Sequence, residues 1–482
     1  MELLRVSNKL ISQTERSRLA ASKHISEEKR KLEEQYFTPP RVAAIMANMF
    51  SEKKNCQLSI LDPCSGVGNL AAAVYEQAKR RNQKLSLTLI ERDPFLFEHS
   101  KENFSKVSNT KVIHADFFDC LHNLEKYDQI ILNPPYSKIS PNSKAAKLCS
   151  NLLHYSDTNT YSTFVSLCLS LLSPSGELVA IIPRSFCNGP LFKNFRNHIF
   201  EKYYIKEFYS FDSRRVFSES NVSQETIIIK IVREHTDFIR ISHEKKGEKI
   251  ISLETPADRV IFPNDPNKVI HIPLAKGDNE LLSKIYRFKR TLISIGMKAS
   301  TGKVVDFRCT EFLQEKPYAS SVDLIYQDSI QPGSLPIIGI IDGKRHRHIK
   351  SNSKTKKLLL NKGNYILVRR ISFKESETRI VAAPLLEKQF KKSQIGVENH
   401  LNYIWATKDP MTLKTCIALY SYLSTKTVDK YVRRFSGHTQ INAADLNSLP
   451  VPEIKELESF YDSVIGMKFE DLPKAAEEFF FS

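Results

Sequence analysis

Four consecutive residues, Asn133, Pro134, Pro135 and Tyr136, directly follow the apolar stretch 129–132 and carry the clearest chemical signal in the sequence. The Asn133 side-chain oxygen and the Pro134 carbonyl are two hydrogen-bond acceptors on one short loop. Acceptors placed against both N–H groups of a conjugated amine favour a tetrahedral nitrogen and take up its developing positive charge. The two prolines stiffen the loop, and Tyr136 can stack on a planar ring. The loop is therefore suited to group transfer onto a conjugated nitrogen.

Further polar and small residues stand at the ends of three earlier apolar stretches. The first stretch runs into the loop Asp-Pro-Cys-Ser-Gly-Val-Gly at 62–68, where a ligand can approach the backbone closely. Glu91 ends the second stretch and can accept hydrogen bonds from ribose hydroxyls. After the third, Asp116 can accept from an adenine amino group and Phe117 can cover the ring. The sequence has neither G-x-G-x-x-G spacing nor a P-loop lysine, so it predicts a nucleoside ligand without phosphates.

Positioning these residues requires a parallel sheet, because the carboxyl ends of parallel strands share one edge where ligands bind. Apolar stretches alternate with helical ones, which indicates an α/β fold with crossovers. The predicted strands are 58–61, 85–90, 111–114, 127–132, 178–182 and 225–232, and the predicted helices include 9–34, 69–81 and 160–172. The alternation ends near residue 240, where we expect a domain boundary.

The formal net charge of +17 is unevenly distributed. Residues 241–450 carry 35 Lys and Arg against 20 Asp and Glu, whereas residues 451–482 carry 3 against 8. We therefore expect a polyanion to bind the second half of the chain. The eight cysteines are scattered without a C-x-x-C pair, which favours a reducing cytoplasm and predicts no metal site. No apolar run is long enough to span a bilayer, so no membrane partner is expected.

The order of the motifs resembles that of the gamma-order N6-adenine DNA methyltransferases, the TaqI-like group of type II restriction–modification systems. The motifs are Phe37-Thr38-Pro39-Pro40, the loop 62–68, Glu91-Arg92-Asp93-Pro94, residues 115–119 and Asn133-Pro134-Pro135-Tyr136. The resemblance covers residues 35–235. It implies a Rossmann-like S-adenosylmethionine-dependent methyltransferase domain followed by a C-terminal mixed α/β target-recognition domain.

The resemblance divides the chain into an N-terminal helical segment (1–34), a catalytic domain (35–240), a DNA target-recognition domain (241–450) and an acidic helical tail (451–482). It implies that S-adenosylmethionine is bound by Thr38, Asp62, Cys64, Gly66, Glu91, Asp116 and Phe117. Residues 133–136 would hold the target adenine, with Tyr136 and Phe217 stacking on the base once it is flipped out of duplex DNA.

Duplex DNA and a separately encoded restriction endonuclease are the expected partners of such an enzyme. Basic and polar residues of the second half are the candidate DNA contacts, because Arg and Gln can bond base edges bidentately. They are Lys344, Arg345, Arg347, Arg369, Arg370, Arg433, Arg434, His438 and Gln440.

Two other interpretations remain open at the level of sequence. An Asn-Pro-Pro-Tyr loop also suits an N-methyltransferase acting on ribosomal RNA or on a protein glutamine, because an amide nitrogen is conjugated as well. The other interpretation is a catalytically inactive DNA-binding specificity module built on a methyltransferase fold.

Overall fold

The computed structural model describes residues 9–25, 37–53, 57–155, 157, 159–211, 225–245, 249–263, 265, 267–273, 277–339, 346–372, 376–435 and 440–482. The chain divides into two compact units between residues 274 and 275. Within the described residues, no helix combines the length and the apolar character needed to cross a bilayer.

The first unit is built on a nine-stranded sheet with the order β3-β2-β1-β4-β5-β7-β6-β8-β9. Its strands are β1 (Gln57–Asp62), β2 (Lys84–Glu91), β3 (Thr110–His114), β4 (Tyr127–Leu132), β5 (Leu172–Pro183), β6 (Tyr204–Phe211), β7 (Thr226–Val232), β8 (Phe238–Lys245) and β9 (Lys249–Pro256). Its helices are α1 (Lys9–His24), α2 (Pro40–Asn48), α3 (Asn69–Arg80), α4 (Pro94–Phe104), α5 (Phe117–Cys120), α6 (Lys144–Leu153), α7 (Thr160–Ser170), α8 (Lys193–Lys202) and α9 (Ala257–Val260).

The first five strands of this sheet are parallel, and β7 runs antiparallel to β5 and β6. The direction of winding reverses between the neighbouring strands β1 and β4, which creates a topological switch point where ligands bind in such sheets. The Rossmann-like α/β fold predicted from the sequence is confirmed.

Both faces of the sheet are buried around its central strands, so these strands are almost continuously apolar. In β5 the run from Leu178 to Ile182 is 0% exposed. Along β4, Ile130 and Leu132 pack into one core cluster with α7, while Ile131 packs into the other with α2 and α3. This double burial fixes the register of β4 and therefore the position of the loop that follows it.

The first unit extends beyond the boundary that we predicted near residue 240. Strand β8 pairs with β6, and β9 pairs with β8, so that both belong to the large sheet. The sequence pattern missed them because they carry charged residues on an open face, as in the cross-strand pair of Arg240 and Glu254 (3.3 Å). The predicted N-terminal helix is described from Lys9 to His24, where it packs on α3 and α4, and residues 26–36 lie outside the described part.

The second unit contains sheets with the orders β10-β20, β11-β19-β16-β17 and β12-β14-β13-β18-β15. Its strands are β10 (Arg290–Thr291), β11 (Met297–Thr301), β12 (Leu313–Gln314), β13 (Ser321–Ile325), β14 (His348–Lys350), β15 (Leu359–Asn361), β16 (Tyr365–Arg369), β17 (Ala382–Leu385), β18 (Gln394–Val397), β19 (Leu401–Ala406) and β20 (Pro450–Val451). Its helices are α10 (Asp278–Ile285), α11 (Leu413–Leu423), α12 (Lys426–Phe435), α13 (Ala443–Asn447), α14 (Ile454–Ser463) and α15 (Leu472–Phe481).

The acidic C-terminal segment is part of this second unit and not a separate tail. Helices α14 and α15 both contact α11, and Phe480 packs edge-to-face on Tyr422 with ring centroids 5.5 Å apart. Phe460 and Phe480 are 0% and 1% exposed, so the apolar faces of these helices are core surfaces.

Candidate active site

A cavity of about 350 Å³ lies at the carboxyl ends of β1 to β4, above the switch point of the sheet. Its wall combines aromatic and apolar side chains with a few polar groups, as is typical of small-molecule sites. It is lined by Phe37, Pro63, Cys64, Gly66, Ile90, Glu91, Arg92, Leu96, Ala115, Asp116, Phe117, Phe118, Asn133, Pro135, Ser137, Ile139, Thr160 and Phe164. The structure thus brings together residues from four separate strand ends.

The loop after β1 makes its tight turn with glycines in left-handed conformations. Gly66 has φ +56° and Gly68 has φ +94°. A Cβ on Gly68 would also collide with the ring of Phe104, which packs against the start of α3. Gly66 therefore exposes backbone to the cavity, as predicted, while Gly68 allows close helix packing.

The Glu91 carboxylate is fixed by backbone donors and lines the cavity. The Gly66 N–H donates to Oε2 (2.7 Å) and the Asp93 N–H donates to Oε1 (2.8 Å). Burial raises the pKa of Glu91, and the backbone hydrogen bonds partly oppose that shift. Because each carboxylate oxygen has a further lone pair, Glu91 can still accept from a ligand hydroxyl.

Asp62 is the most deeply buried carboxyl group beside the cavity, at 1% exposure. Burial raises its pKa to about 8, the Cys64 N–H partly opposes this, and the charge of Glu91 adds to it. Its Oδ1 accepts from the Cys64 N–H (3.4 Å), whereas Oδ2 has no hydrogen-bond partner among the described residues. An unpartnered buried acceptor fits a site for a ligand with a cationic donor, such as the amino group of a methionine moiety.

Asp116 and Phe117 form the wall at the end of β3. The Asp116 side chain caps α5 by accepting from the Phe118 N–H (2.9 Å), which fixes its orientation. Phe117 stacks on Phe164 with ring centroids 5.1 Å apart and an interplanar angle of 18°. Both residues line the cavity, and Phe164 extends the aromatic wall.

Hydrogen bonds on both sides of the Asn133 side chain hold it in place at the cavity wall. Its Nδ2 donates to Thr38 Oγ1 (3.0 Å), and its Oδ1 accepts from the Tyr136 hydroxyl (3.0 Å). The same hydroxyl lies 3.3 Å from the Ile181 carbonyl oxygen. The loop is therefore organised around one amide, with each polar atom of its side chain hydrogen-bonded to a hydroxyl group.

Four predicted site residues do not line the cavity: Thr38, Asp62, Pro134 and Tyr136. Tyr136 is 4% exposed, does not line the cavity, and packs edge-to-face on Tyr161 with centroids 6.1 Å apart. Thr38 is 6% exposed and also lies behind the cavity wall. In this structure both residues contact Asn133 rather than the cavity. Phe217 lies outside the described residues.

Several wall residues were not singled out from the sequence, including Phe37, Ile139 and Phe164. Phe37 directly precedes Thr38, so its position in the Phe-Thr-Pro-Pro motif was an available signal. Phe164 belongs to the apolar helix α7, where only the tertiary fold distinguishes a wall residue from a core residue.

Most of the candidate DNA contacts that the structure describes are tied to their own chain. Arg347 forms a bidentate ion pair with Asp328 (2.7 and 2.9 Å), and its side chain is only 6% exposed. Arg369 donates to the carbonyl oxygens of Gln327 (2.9 Å) and Ile330, and Arg433 pairs with Asp429 (3.0 Å).

Arg370 and Gln440 are both half-buried. Lys344, Arg345 and His438 lie outside the described residues, as does the Arg434 side chain.

A sheet of this order, with its ligand cavity at the switch point, defines the class of the molecule. The chain has the fold of the S-adenosylmethionine-dependent methyltransferases, and that molecule is its expected cofactor. The unpartnered Asp62 oxygen, the Glu91 carboxylate and the Asp116–Phe117 wall fit the cofactor's amino, ribose and adenine groups respectively.

Comparison with known proteins identifies the family. Residues 12–217 match the Eco57I restriction-modification methylase family. The chain is 35% identical over 440 residues to the type II methyltransferase M.BsuBI of Bacillus subtilis, with 87% of each chain covered. It is 32% identical over 476 residues to the type II methyltransferase M.PstI of Providencia stuartii, covering 94% of this chain and 93% of that one. The chain belongs to the type II DNA methyltransferases of restriction–modification systems.

A solved structure shares the fold across most of the chain. The type IIL restriction-modification enzyme MmeI, solved in complex with DNA, aligns with a TM-score of 0.52 at 12% identity. The alignment covers 88% of this chain and 70% of that one, so the likeness extends through both units.

Proposed function

We propose that this methyltransferase transfers the methyl group of S-adenosylmethionine to the exocyclic N6 of an adenine in duplex DNA. The observation that carries the proposal is the Asn133 amide, which lies on the cavity wall with its two polar atoms held by Thr38 and Tyr136. An acceptor fixed in this way is the group needed to bind a conjugated amine and to stabilise the charge that develops on it.

The residues of the Asn-Pro-Pro-Tyr loop would have the following roles in catalysis. The Asn133 Oδ1 and the Pro134 carbonyl accept from the two N6–H groups, which draws the nitrogen lone pair out of conjugation. An amide oxygen carries two lone pairs, so its bond to Tyr136 does not by itself exhaust it. When bound, the cofactor would supply an electrophilic methyl group and leave as the demethylated thioether, and N6 would give up one proton to solvent. The rigid proline loop holds the amine in line with that methyl group.

Cofactor binding is assigned to the residues at the first three strand ends. Glu91 accepts from the ribose hydroxyls, Asp116 accepts from the adenine amino group, and Phe117 covers the adenine face. Gly66 and Cys64 border the methionine part, and Asp62 supplies the negative charge for its amino group. Burial raises the pKa of the Cys64 thiol, which makes it a neutral packing group rather than a nucleophile.

Access to N6 requires that the adenine leave the duplex, since a stacked base cannot reach a cavity of this kind. Phe217 is proposed to stack on the extruded base, with Tyr136 doing so after moving from its buried position. The second unit, which contains most of the excess positive charge, is proposed to bind and read the DNA. A separately encoded endonuclease cutting the same site completes the proposed restriction–modification pair.

The test is to express the chain in a methylation-free bacterial host and map N6-methyladenine by single-molecule sequencing. We expect one modified motif in cells with the natural chain and none with Asn133→Ala, although that variant should still bind DNA in vitro. Methyl transfer to ribosomal RNA or to a protein glutamine, with duplex DNA left unmodified, would replace the proposal. A chain that binds DNA but transfers no methyl group would be a specificity module only.

A further inference from the structure

His400 in the second unit is oriented by a fully buried carboxylate. Its Nδ1 lies 2.6 Å from Glu398 Oε1, and its backbone N–H donates to Glu398 Oε2 (3.0 Å). The Glu398 side chain is 0% exposed, whereas that of His400 is 45% exposed. Glu398 therefore holds the ring with Nδ1 directed inward, which leaves Nε2 on the outer side of the imidazole.

The turn that carries this pair, residues 398–400 between β18 and β19, is held by backbone contacts. The Glu398 N–H donates to the Ile325 carbonyl (3.0 Å), and the Asn399 N–H donates to the Val304 carbonyl (2.9 Å). A Cβ on Gly302 would overlap the Glu398 carbonyl, so the neighbouring chain passes directly against the turn. Burying a carboxylate is expensive, and here it fixes a single half-exposed histidine, which indicates a functional role for that orientation.

One further polar side chain lies beside this turn. The Arg370 backbone N–H donates to the His400 carbonyl (2.9 Å), and Arg370 Nη1 lies 3.3 Å from the Asn399 carbonyl oxygen. The fold thus brings together an arginine and a histidine that are far apart in sequence.

These contacts distinguish a base reader from a simple phosphate contact. Phosphate can be held by flexible basic side chains, whereas reading a base edge requires a donor or acceptor at a fixed position. With Nδ1 held by Glu398, the imidazole presents Nε2 at a fixed position, where it can make one hydrogen bond to a base edge.

We propose that His400, with Arg370 beside it, forms a base-reading site in which His400 Nε2 makes a hydrogen bond to the edge of one base. The proposal rests on the proposed function of the chain as a DNA adenine methyltransferase. It assigns sequence recognition to the β18–β19 turn, whose histidine the sequence did not mark as a DNA contact.

The experiment compares the methylated motif of the natural chain with those of His400→Ala and a matched control, His235→Ala, in the methylation-free host. His235 is a more exposed histidine (64%) of the first unit, 3.6 Å from the exposed Asp237. We expect His400→Ala to lose discrimination about 10- to 100-fold at one position of the motif, as for loss of a specific base contact. The control should retain the natural motif.

A second variant tests the same inference if His400→Ala is unstable. Glu398→Gln retains the size of the side chain but weakens its hold on the ring, so it should relax the same position to a smaller extent. An unchanged motif in His400→Ala would overturn this inference but not the proposed function. A uniform loss of methylation at every site, as expected for a phosphate contact, would do the same. Absence of any modified adenine with the natural chain would overturn the proposed function itself.

Discussion

The Asn133 side chain donates from Nδ2 to Thr38 Oγ1 at 3.0 Å, across 95 positions of sequence. Thr38 is itself fixed, because its carbonyl accepts from Asn69 Nδ2 at 3.1 Å. The hydroxyl of Thr38 therefore holds the amide nitrogen of Asn133, and the amide oxygen lies beside the Tyr136 hydroxyl. The Thr-Pro-Pro motif and the Asn-Pro-Pro-Tyr motif act as one assembly.

Thr38→Val is expected to lower kcat about 5- to 10-fold, since it removes a hydrogen bond worth about 1 kcal/mol that orients the amide. The Kd for S-adenosylmethionine should stay within about twofold of the natural value, because Thr38 does not line the cavity. Thr38→Ser should restore most of the rate. Steady-state kinetics and calorimetry check these outcomes, and a weakened cofactor Kd with unchanged kcat would make Thr38 a cofactor ligand instead.

Tyr136→Phe separates hydrogen bonding from stacking at the same loop. It removes the hydroxyl that donates to Asn133 Oδ1 (3.0 Å) but leaves the ring in place. We expect kcat to fall about 5- to 10-fold. The fluorescence increase of 2-aminopurine at the target position, which reports base extrusion, should be unchanged. A variant with the natural rate would show that only the ring of Tyr136 matters.

The position of the site could be predicted from the sequence because it depends on local signals. An apolar strand followed by Asp62, Glu91 or Asn133 is visible in the sequence, and parallel topology then brings the strand ends to one edge. Asn133, Glu91 and Phe117 do line one cavity.

Features that depend on distant partners could not be predicted in this way. Arg347 and Arg433 looked like DNA contacts because the local sequence is basic, yet the fold pairs them with Asp328 and Asp429. Tyr136 is buried because its hydroxyl reaches the carbonyl of Ile181 on the neighbouring strand. His400 was missed because the significance of its position comes from the burial of Glu398, which the sequence does not show.

The buried ion pair of Lys230 and Glu177 gives a prediction about stability. Their charged atoms are 2.9 Å apart and their side chains are 3% and 7% exposed, and Lys230 also donates to the Met49 carbonyl (2.7 Å). Lys230→Met leaves Glu177 buried without its countercharge and should cost about 3–5 kcal/mol of unfolding free energy.

Urea denaturation measures this cost, with Arg240→Met as the control. Arg240 pairs with Glu254 on the surface (3.3 Å, 56% and 64% exposed), so its loss should cost no more than about 1 kcal/mol. Equal losses of unfolding free energy in Lys230→Met and Arg240→Met would contradict the larger contribution that we assign to the buried ion pair.

Asp62 predicts a proton release linked to cofactor binding. Burial raises its pKa to about 8, so the carboxyl is protonated in the free protein at pH 6.5. Pairing with the cofactor's ammonium group requires the ionised form, and the proton must then leave. We expect about one proton released per S-adenosylmethionine bound at pH 6.5, measured by calorimetry in buffers of different ionisation enthalpy. The affinity should rise up to about tenfold per pH unit between pH 6 and 8.

Asp62→Asn is the control, since it keeps the size of the side chain without the titration. It should bind the cofactor more weakly, with no proton release and little change in affinity between pH 6 and 8. The ionisation of Asp62 also changes the stability of the cofactor-free protein with pH. Because its folded pKa lies above the unfolded value, the contribution of Asp62 to stability is fullest below about pH 4 and declines as the pH rises through about 8. Asp62→Asn should flatten that decline, and cofactor binding without proton release by the natural chain would contradict the pairing.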